Sequence, residues 1–231
     1  MTIASMNWQA VAAALDSQGW AVLPGLLSPS RCREAAALWE DEARFRSRVD
    51  MARHGFGQGE YRYFAYDLPE EVARLRAELY PPLAEVANRW QAALGREQRF
   101  PDVHSDYLAR CRAAGQTRPT PLLLRYGAGD YNCLHQDLYG AEAFPLQVAI
   151  LLSRPGQDFA GGEFLLSEQR PRRQSRATVV PLGQGDAVVF AVSERPVMGS
   201  RGCYRTRMKH GVSTIRSGER FTLGIIFHDA A

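Results

Sequence analysis

One short segment, CLHQDLYG at positions 133–140, places a histidine and a carboxylate two residues apart. The surrounding residues predict a β-strand that ends in a turn. Residues i and i+2 of a strand project to the same side of a sheet. The side chains of His135 and Asp137 can therefore contact one metal ion.

A third ligand has to come from another element, and His210 in the strand-like segment RMKHGVSTI is the candidate. Two histidines and one carboxylate on one face bind a single metal ion and leave further coordination positions open. Mononuclear iron(II) uses this ligand set in oxygen chemistry. The spacing of these residues therefore predicts an iron(II) site.

A second His-x-Asp pair, His104 and Asp106, does not predict a metal site. It lies in FPDVHSDYLARCRAA, which has the pattern of a helix start. Residues i and i+2 of a helix diverge by roughly 200° about its axis, so these side chains cannot readily share an ion. We expect Ser105 or Asp106 to cap the helix instead. His228 is the closest rival ligand, but Asp229 follows it on the opposite side of the strand, so we interpret His228 as structural.

The last strand-like segment, RFTLGIIF, begins with an arginine that the strand pattern turns inward. Strand alternation puts Arg220, Thr222 and Gly224 on one face and the apolar residues on the other. An arginine on the inner face of a sandwich is costly unless it pairs with an anion. With Thr222 as a second hydrogen-bonding group, Arg220 is predicted to bind a carboxylate.

The elements that position these residues are predicted to be short strands. From about Pro121 onward, eight β-rich runs alternate with turn signals. Strands at this density indicate a sandwich or barrel, and eight of them fit a double-stranded β-helix, the jelly-roll form. The runs are PLLLRYG, NCLHQDL, FPLQVAILLS, GGEFLLSEQ, ATVVPL, DAVVFAVS, RTRMKHGVSTI and RFTLGIIFHD.

The first half of the chain is predicted to be mainly helical. Helices are expected over residues 8–15, after a capping serine (Ser28 or Ser30), and over 69–94, where Pro81–Pro82 should break or kink the helix. The segment GWAVLPGLL is strand-like, and the glycine- and aromatic-rich segment RHGFGQGEYRYFAYDLP is predicted to be a loop.

We therefore expect one integrated domain of the α+β class. Residues 1–118 would form a helical N-terminal support with substrate loops, and residues 119–231 a jelly-roll catalytic core. The N-terminal helices should pack against one sheet.

Composition is that of an ordinary globular protein. The 231 residues are 45% hydrophobic and 23% charged. No apolar run is long enough to cross a bilayer, and the first twenty residues lack the basic start of a signal peptide, so a cytoplasmic location is expected. The four cysteines are scattered without a CxxC pair, which favours reduced thiols over a disulfide framework.

Charge is unevenly distributed along the chain. The formal net charge is +3, but residues 168–231 hold eleven Arg/Lys against five Asp/Glu, a net of +6. A basic C-terminal part can attract an anionic partner. The alternative is a compositional preference for arginine on a solvated surface, since Lys209 is the chain's single lysine.

The combined set of motifs resembles the iron(II)/2-oxoglutarate-dependent dioxygenase superfamily. The residues that carry the resemblance are His135-x-Asp137, His210 and Arg220-x-Thr222, in that order. It covers the chain from roughly Pro121 to the end, and GWAVLPGLL with its helix resembles the usual N-terminal lead-in. More narrowly, a bacterial family of oxygenases, described as acting oxidatively on damaged nucleic acid, is similar in HQDLYG, FPLQVAILLS, GGEF, SEQRPRRQSR and LGIIFHDA.

The resemblance implies roles for these residues. The two histidines and Asp137 would bind iron(II), although other divalent metals can occupy the same ligands. The cosubstrate 2-oxoglutarate would chelate the iron and place its far carboxylate against Arg220 and Thr222, with help from the phenol of Tyr126. With O2, and with ascorbate as reductant in vitro, the reaction would be hydroxylation or oxidative demethylation with release of succinate and CO2.

The substrate stays open at this point. Tyr139, Gln147 and Arg207 are candidates to face it, although a strand-end tyrosine and an edge glutamine are often structural. GEYRYFAYD offers rings for an extruded base and RPRRQSR offers cations for phosphates, but a packed lid and a solvated hairpin explain them equally well. The same features fit a peptide hydroxylase of the prolyl type or a small-metabolite enzyme. A metal enzyme without cosubstrate and a non-catalytic jelly-roll sensor of 2-oxoglutarate or metal are the remaining alternatives.

Overall fold

The computed structural model describes residues 3–138, 140–200 and 202–231. The helices of this part are α1 (Trp8–Gln18), α2 (Pro29–Ala37), α3 (Glu70–Ala93) and α4 (His104–Ala113), with short 3-10 turns at Ile3–Ser5, Leu38–Glu40, Glu42–Arg44 and Met51–His54. The strands are β1 (Trp20–Leu23), β2 (Phe45–Asp50), β3 (Gly57–Gln58), β4 (Glu60–Phe64), β5 (Leu122–Tyr126), β6 (Tyr131–His135), β7 (Leu146–Leu151), β8 (Phe159–Gly161), β9 (Phe164–Gln169), β10 (Arg176–Val180), β11 (Ala187–Ala191), β12 (Glu194–Gly199), β13 (Gly202–Val212), β14 (Ile215–Gly218) and β15 (Arg220–Ile225). None of the described helices is long and apolar enough to span a bilayer.

Two antiparallel sheets form the body of the molecule. The large sheet has the strand order β1-β11-β7-β15-β5-β4-β2, and the small sheet has the order β10-β9-β13-β6-β3 with β12 paired to β13. Each of the eight runs predicted after Pro121 contains a strand. The predicted α+β jelly-roll class is confirmed.

The main hydrophobic core lies between the large sheet and the helices. On α3, Leu75, Leu79 and Leu83 are fully buried, and the outward face of β15 contributes Leu223 and Ile225 to the same cluster. The predicted packing of N-terminal helices against one sheet is therefore confirmed. This core holds one face of the large sheet, so that the other face is available for polar residues.

Helix α3 runs through Pro81 and Pro82 without a break, although the sequence predicts a break or kink there. Each proline removes a backbone donor and costs helix stability. Buried side chains on both sides, including Tyr80 and Ala84, hold the helix against the sheet. Tertiary packing thus outweighs the local preference of the prolines.

The prediction of a loop over 53–69 was wrong. The segment contains β3 and β4, and β4 pairs with β5 and β2 in the large sheet. Strand β4 was not predicted because a charged residue, Arg62, occupies one of its buried positions. The Arg62 guanidinium lies 4.1 Å from the centre of the Trp39 ring and donates to the Trp39 carbonyl. The first 118 residues therefore supply strands to the large sheet as well as helices.

Two capping predictions have different outcomes. Ser28 caps α2 as expected, its Oγ accepting from the Arg31 N–H. Helix α4 does begin at His104, but Val103 is its N-cap and no side chain caps it, so the predicted cap by Ser105 or Asp106 was wrong. His104 is instead buried, with its Nε2 2.8 Å from the Phe227 carbonyl oxygen.

Candidate active site

A pocket opens between the inner faces of the two sheets. On β15, Arg220, Thr222 and Gly224 line it, whereas Leu223 and Ile225 point into the helix-side core. This is the alternation expected from the sequence. The small sheet supplies the facing wall through β6, β9 and β13.

Three predicted metal-ligating side chains meet in this pocket. His135 ends β6 and is the register partner of His210 on β13, so the two rings lie side by side. The turn after β6 brings Asp137 between them, with Oδ1 3.4 Å from Nε2 of His135 and Oδ2 3.3 Å from Nε2 of His210. Their ligand atoms all lie within 4.8 Å of one another, and no other group of this kind occurs among the described residues.

Hydrogen bonding and burial prepare these side chains to bind a cation. Nδ1 of His135 lies 2.8 Å from the Cys133 carbonyl, so this nitrogen is a donor, and Nε2 faces Asp137, where a bound metal would take the place of the proton between them. Burial alone would raise the pKa of Asp137, but hydrogen bonds and charge from both histidines hold it well below its usual value. Burial lowers the pKa of His210. The group thus offers an ionised carboxylate and imidazole nitrogens, which suits a divalent transition metal.

Arg220 is a buried cation that could bind an anionic ligand. It is 1% exposed, it donates to Thr222 Oγ1 at 2.5 Å, and its Nε is buried with no hydrogen-bond partner in the described part of the chain. Within the described ranges no ion pair joins it to a carboxylate. Burial lowers its pKa to about 10, so it is still charged at neutral pH. A buried, uncompensated guanidinium is expensive, and an anionic ligand would relieve it.

Tyr126 completes this end of the pocket. It is fully buried on β5 as the register partner of Arg220, whose guanidinium carbon lies 5.8 Å from the centre of its ring. Its hydroxyl accepts from Asn132 Nδ2. Burial raises the pKa of Tyr126 to about 12, so the phenol is neutral and can donate. Arg220, Thr222 and Tyr126 therefore present several donors to one small volume.

The residues predicted to face a substrate are separated in the structure. Gln147 is buried in the pocket on β7, and its Oε1 has no hydrogen-bond partner among the described residues. Arg207 is exposed on β13 and lies in a different surface cleft, so it does not line this pocket. Tyr139 lies outside the described residues.

Strand register places Gln147 relative to the other groups. Ala149 pairs with Gly224, so Gln147 lies two residues farther along β7, on the side away from Arg220. It also pairs with Phe190, whose ring contacts the ring of His210. Gln147 is thus at the far end of the pocket from the Arg220 group and close to the metal-ligating end.

Some pocket residues were missed from the sequence. Phe56 lines the pocket although its side chain is 46% exposed, and Tyr61 reaches the pocket from β4. Phe56 comes close to the ligands because its carbonyl accepts from the Cys133 N–H. No local pattern predicts a contact between segments so far apart in sequence, although the aromatic alternation of EYRYF was a usable signal for β4.

Comparison with known proteins identifies relatives of this chain. Residues 59–230 match the model of a family described as "Oxygenase, catalysing oxidative methylation of damaged DNA". A protein of Mycobacterium tuberculosis, named only as uncharacterized, is 56% identical over 168 residues, which span 73% of this chain and 72% of that protein in both strain H37Rv and strain CDC 1551.

Solved structures share the fold at low sequence identity. An oxidoreductase of the 2OG-Fe(II) oxygenase family from Burkholderia pseudomallei is 17% identical with a TM-score of 0.56, covering 98% of this chain and 94% of that one. A Pseudomonas putida prolyl-4-hydroxylase is 16% identical with a TM-score of 0.54, covering 97% and 99%. A Trichoplax adhaerens prolyl hydroxylase, in complex with a peptide of hypoxia inducible factor, is 14% identical with a TM-score of 0.55, covering 98% and 95%.

These solved structures establish the architecture, and the family match over most of the chain establishes the relationship. One pocket is lined both by the His–Asp–His group and by a buried arginine. The chain belongs to the oxygenase family described as catalysing oxidative methylation of damaged DNA, and its fold is that of a solved 2OG-Fe(II) oxygenase.

Proposed function

We propose that this protein is an iron(II)/2-oxoglutarate-dependent dioxygenase that oxidises an alkyl group on damaged nucleic acid and releases succinate and CO2. The observation that carries the chemistry is the arrangement of one pocket. It holds three metal-ligating side chains and a buried arginine that pairs with no carboxylate among the described residues. The family description points to damaged DNA as substrate.

His135, Asp137 and His210 would hold the metal. Three protein ligands on one side of an iron(II) ion leave positions for the cosubstrate and oxygen. Bound iron and 2-oxoglutarate supply the activation of O2 that oxidises the substrate. The chain itself fixes the tautomer of His135 through the Cys133 carbonyl and keeps Asp137 ionised.

Arg220, Thr222 and Tyr126 would bind the far carboxylate of 2-oxoglutarate. Two charge-assisted bonds to a guanidinium, supported by a hydroxyl, are a strong and directional carboxylate site. The apolar side chains Leu122 and Leu124, the register partners of Gly224 and Thr222, also line the pocket. An elongated dicarboxylate suits a pocket that is cationic at one end, apolar along its side and metal-binding at the other.

The mouth of the pocket supports an extruded base as the reacting group. Phe56 is half exposed there and stacks on His54, with ring centres 5.3 Å apart. Leu138, next to the ligand Asp137, is 57% exposed. Exposed apolar side chains at a pocket mouth mark interaction sites, and aromatic rings bind unstacked bases of any sequence. Gln147 offers an unpaired acceptor inside the pocket for an N–H of the base.

The test is succinate formation from 2-oxoglutarate with iron(II) and ascorbate in air. It is run with methylated single-stranded DNA, with the unmethylated strand of the same sequence, and without DNA. We expect the methylated strand to stimulate succinate release, and His135→Ala to abolish it. A His135-dependent basal rate that no nucleic acid stimulates would contradict the proposed substrate and direct the search to peptides, of which a proline-containing one is the first to try.

A further inference from the structure

We propose that a cleft on the outer face of the small sheet binds the phosphate backbone of single-stranded nucleic acid. We call it the arginine cleft; it is lined by Gln169, Arg170, Pro171, Arg172, Arg205 and Arg207. The inference rests on the proposed function, because it concerns how the same enzyme would hold its nucleic-acid substrate.

Strand pairing creates the arginine cleft. The turn between β9 and β10 carries Arg172, and β13 runs beside β9 with Arg207 opposite Gln169. Along β13, Arg205 and Arg207 are exposed whereas Thr206 and Met208 are buried. The two exposed arginines therefore project on the outer face, toward the arginines of the turn.

Charge in the arginine cleft is of one sign. Among the described residues, four guanidinium groups and no carboxylate line it. Arg205 pairs with Glu194 at 3.3 Å and Arg170 with Glu168 at 3.2 Å. For Arg172 and Arg207 the described part of the chain provides no ion pair. Unpaired arginines that converge on a concave surface attract an anionic group.

The basic surface continues beyond the cleft. A second groove along the same hairpin is lined by Arg170, Arg173, Gln174 and Arg176 together with Glu168. The carboxylate of Glu168 is itself buried and bound by the fully buried Arg195 at 2.6 Å. Glu168 thus has a partner inside the protein, and the exposed arginines exceed what is needed to neutralise it.

This shape and composition favour a polyanion over a single phosphate or an acidic peptide. Two adjoining grooves that share Arg170 form a track, which matches the repeated phosphates of a strand. All four cations of the cleft are arginines, whose planar forks bind phosphate oxygens bidentately. Phosphate contacts of this kind position nucleic acid without reading its sequence.

The arginine cleft lies close to the pocket. Arg207 and the ligand His210 are three residues apart on β13, roughly 10 Å at the rise of a strand. Gln136 donates from Nε2 to the Met208 carbonyl at 2.7 Å, so the segment that carries Asp137 runs beside this part of β13. Because Arg207 and His210 project from opposite faces of β13, a strand with one base in the pocket would reach the cleft by passing around the sheet, over more than this backbone distance.

Fluorescence anisotropy with a labelled oligo-dT strand tests the proposal on the full chain. The variant is Arg172→Ser/Arg207→Ser. The control is Arg33→Ser/Arg112→Ser, which removes two exposed arginines of α2 and α4 and changes the net charge equally. We expect the first variant to raise Kd about 10-fold or more, and the slope of log Kd against log salt to fall by roughly 0.7 per lost phosphate contact. The control should shift Kd by less than about 2-fold, because it changes only the general electrostatic attraction between the protein and the strand.

Four results would overturn the proposal. Equal Kd changes in the two double variants would show attraction by net charge alone, without a cleft. Equally tight binding of poly-glutamate, measured by competition, would show a general anion surface and not a nucleic-acid site. If the wild-type chain does not bind the strand at all, both the proposed cleft and the proposed nucleic-acid substrate are wrong. If the wild type binds tightly and the first variant binds equally tightly, only the proposed role of the cleft is wrong. Thermal melting of each variant, matched to the wild type, confirms that folding is unchanged.

Discussion

At the residue scale, Arg220 shows how a site is built at the expense of stability. Its guanidinium is buried, and its anion would come from the ligand. Replacing an unpaired buried charge by an apolar side chain of similar size removes its desolvation cost. We expect Arg220→Met to keep or raise the melting temperature of the ligand-free protein while it abolishes the increase in melting temperature that 2-oxoglutarate produces with Mn(II) bound.

The matched change is Thr222→Val, which removes the hydroxyl and leaves the cation. It should weaken 2-oxoglutarate binding by about 10-fold, because a single hydrogen bond to a charged group is lost. A normal 2-oxoglutarate affinity in Arg220→Met would refute the carboxylate role, and isothermal titration with Mn(II) measures both affinities.

The second prediction at the residue scale concerns the side chain of Gln147. Because its Oε1 is buried without a partner among the described residues, Gln147→Leu removes a desolvated polar atom and should not lower the free energy of unfolding. If the amide accepts a hydrogen bond from the substrate, kcat/KM for methylated DNA should fall by roughly 10- to 100-fold, while the KM for 2-oxoglutarate changes little. Unchanged kcat/KM would place the substrate elsewhere in the pocket.

The sequence pointed to the metal-ligating residues because the chain has only five histidines, and to Arg220 because strict strand alternation turns it inward. His135 and His210 meet through a single strand pairing, and Arg220 and Thr222 are i and i+2 neighbours. Phe56 had no such signal, since its place at the mouth depends on β3 pairing with β6 across a long stretch of chain. Local sequence patterns indicate which chemistry a side chain can perform, whereas long-range strand pairing determines where that side chain lies in the fold.

At the element scale, one buried ion pair fastens α3 to the end of the sheet. Arg76 bonds to Asp229 at 2.7 Å and donates to the Ile226 carbonyl at 2.8 Å, and both side chains are buried. Tyr66 donates to the other oxygen of the same carboxylate. This cluster holds the segment after β15, and β15 carries Arg220 and Thr222.

Removing one partner of this ion pair should lower the free energy of unfolding more than removing both partners. We expect Arg76→Met to lower the free energy of unfolding by about 3–5 kcal/mol, because it leaves the Asp229 carboxylate buried and unpaired by a cation. The double variant Arg76→Met/Asp229→Asn should recover a substantial part of this loss. Urea unfolding of the single and double variants measures both values, and a double variant no more stable than Arg76→Met would show that the backbone bonds of Arg76 matter more than its charge.

The strands predicted from sequence were those with alternating or continuous apolar runs. Strands β2 and β4 escaped prediction because they contain polar and charged residues, among them the buried Arg62, whose partners come from the Trp39 region. The sequence predicts a break or kink of α3 at Pro81–Pro82, but the helix is continuous there and packs against the core. In each case a tertiary contact reverses a local preference.

At the scale of the whole molecule, the helical layer and the site lie on opposite faces of one sheet. The helix side contains two buried histidines, His104 and His228, near the guanidinium of Arg76. Burial, followed by the charge of Arg76, lowers the pKa of each to about 4 from the ordinary 6.5. Both are therefore neutral in the folded protein at pH values where they would be protonated in the unfolded chain.

This difference predicts acid sensitivity in a defined range. Between pH 6.5 and about 4 the unfolded state binds more protons than the native state, so the free energy of unfolding must fall as the pH falls, and it levels off for these groups below pH 4. The loss is on the order of 3 kcal/mol for each histidine at the bottom of the range. Urea unfolding at pH 7 and pH 4.5 measures it. His104→Gln/His228→Gln lowers stability at pH 7, because the packing of two rings is lost, yet it should flatten the dependence on pH; equal slopes in the variant and the wild type would assign the acid sensitivity to the carboxylates instead.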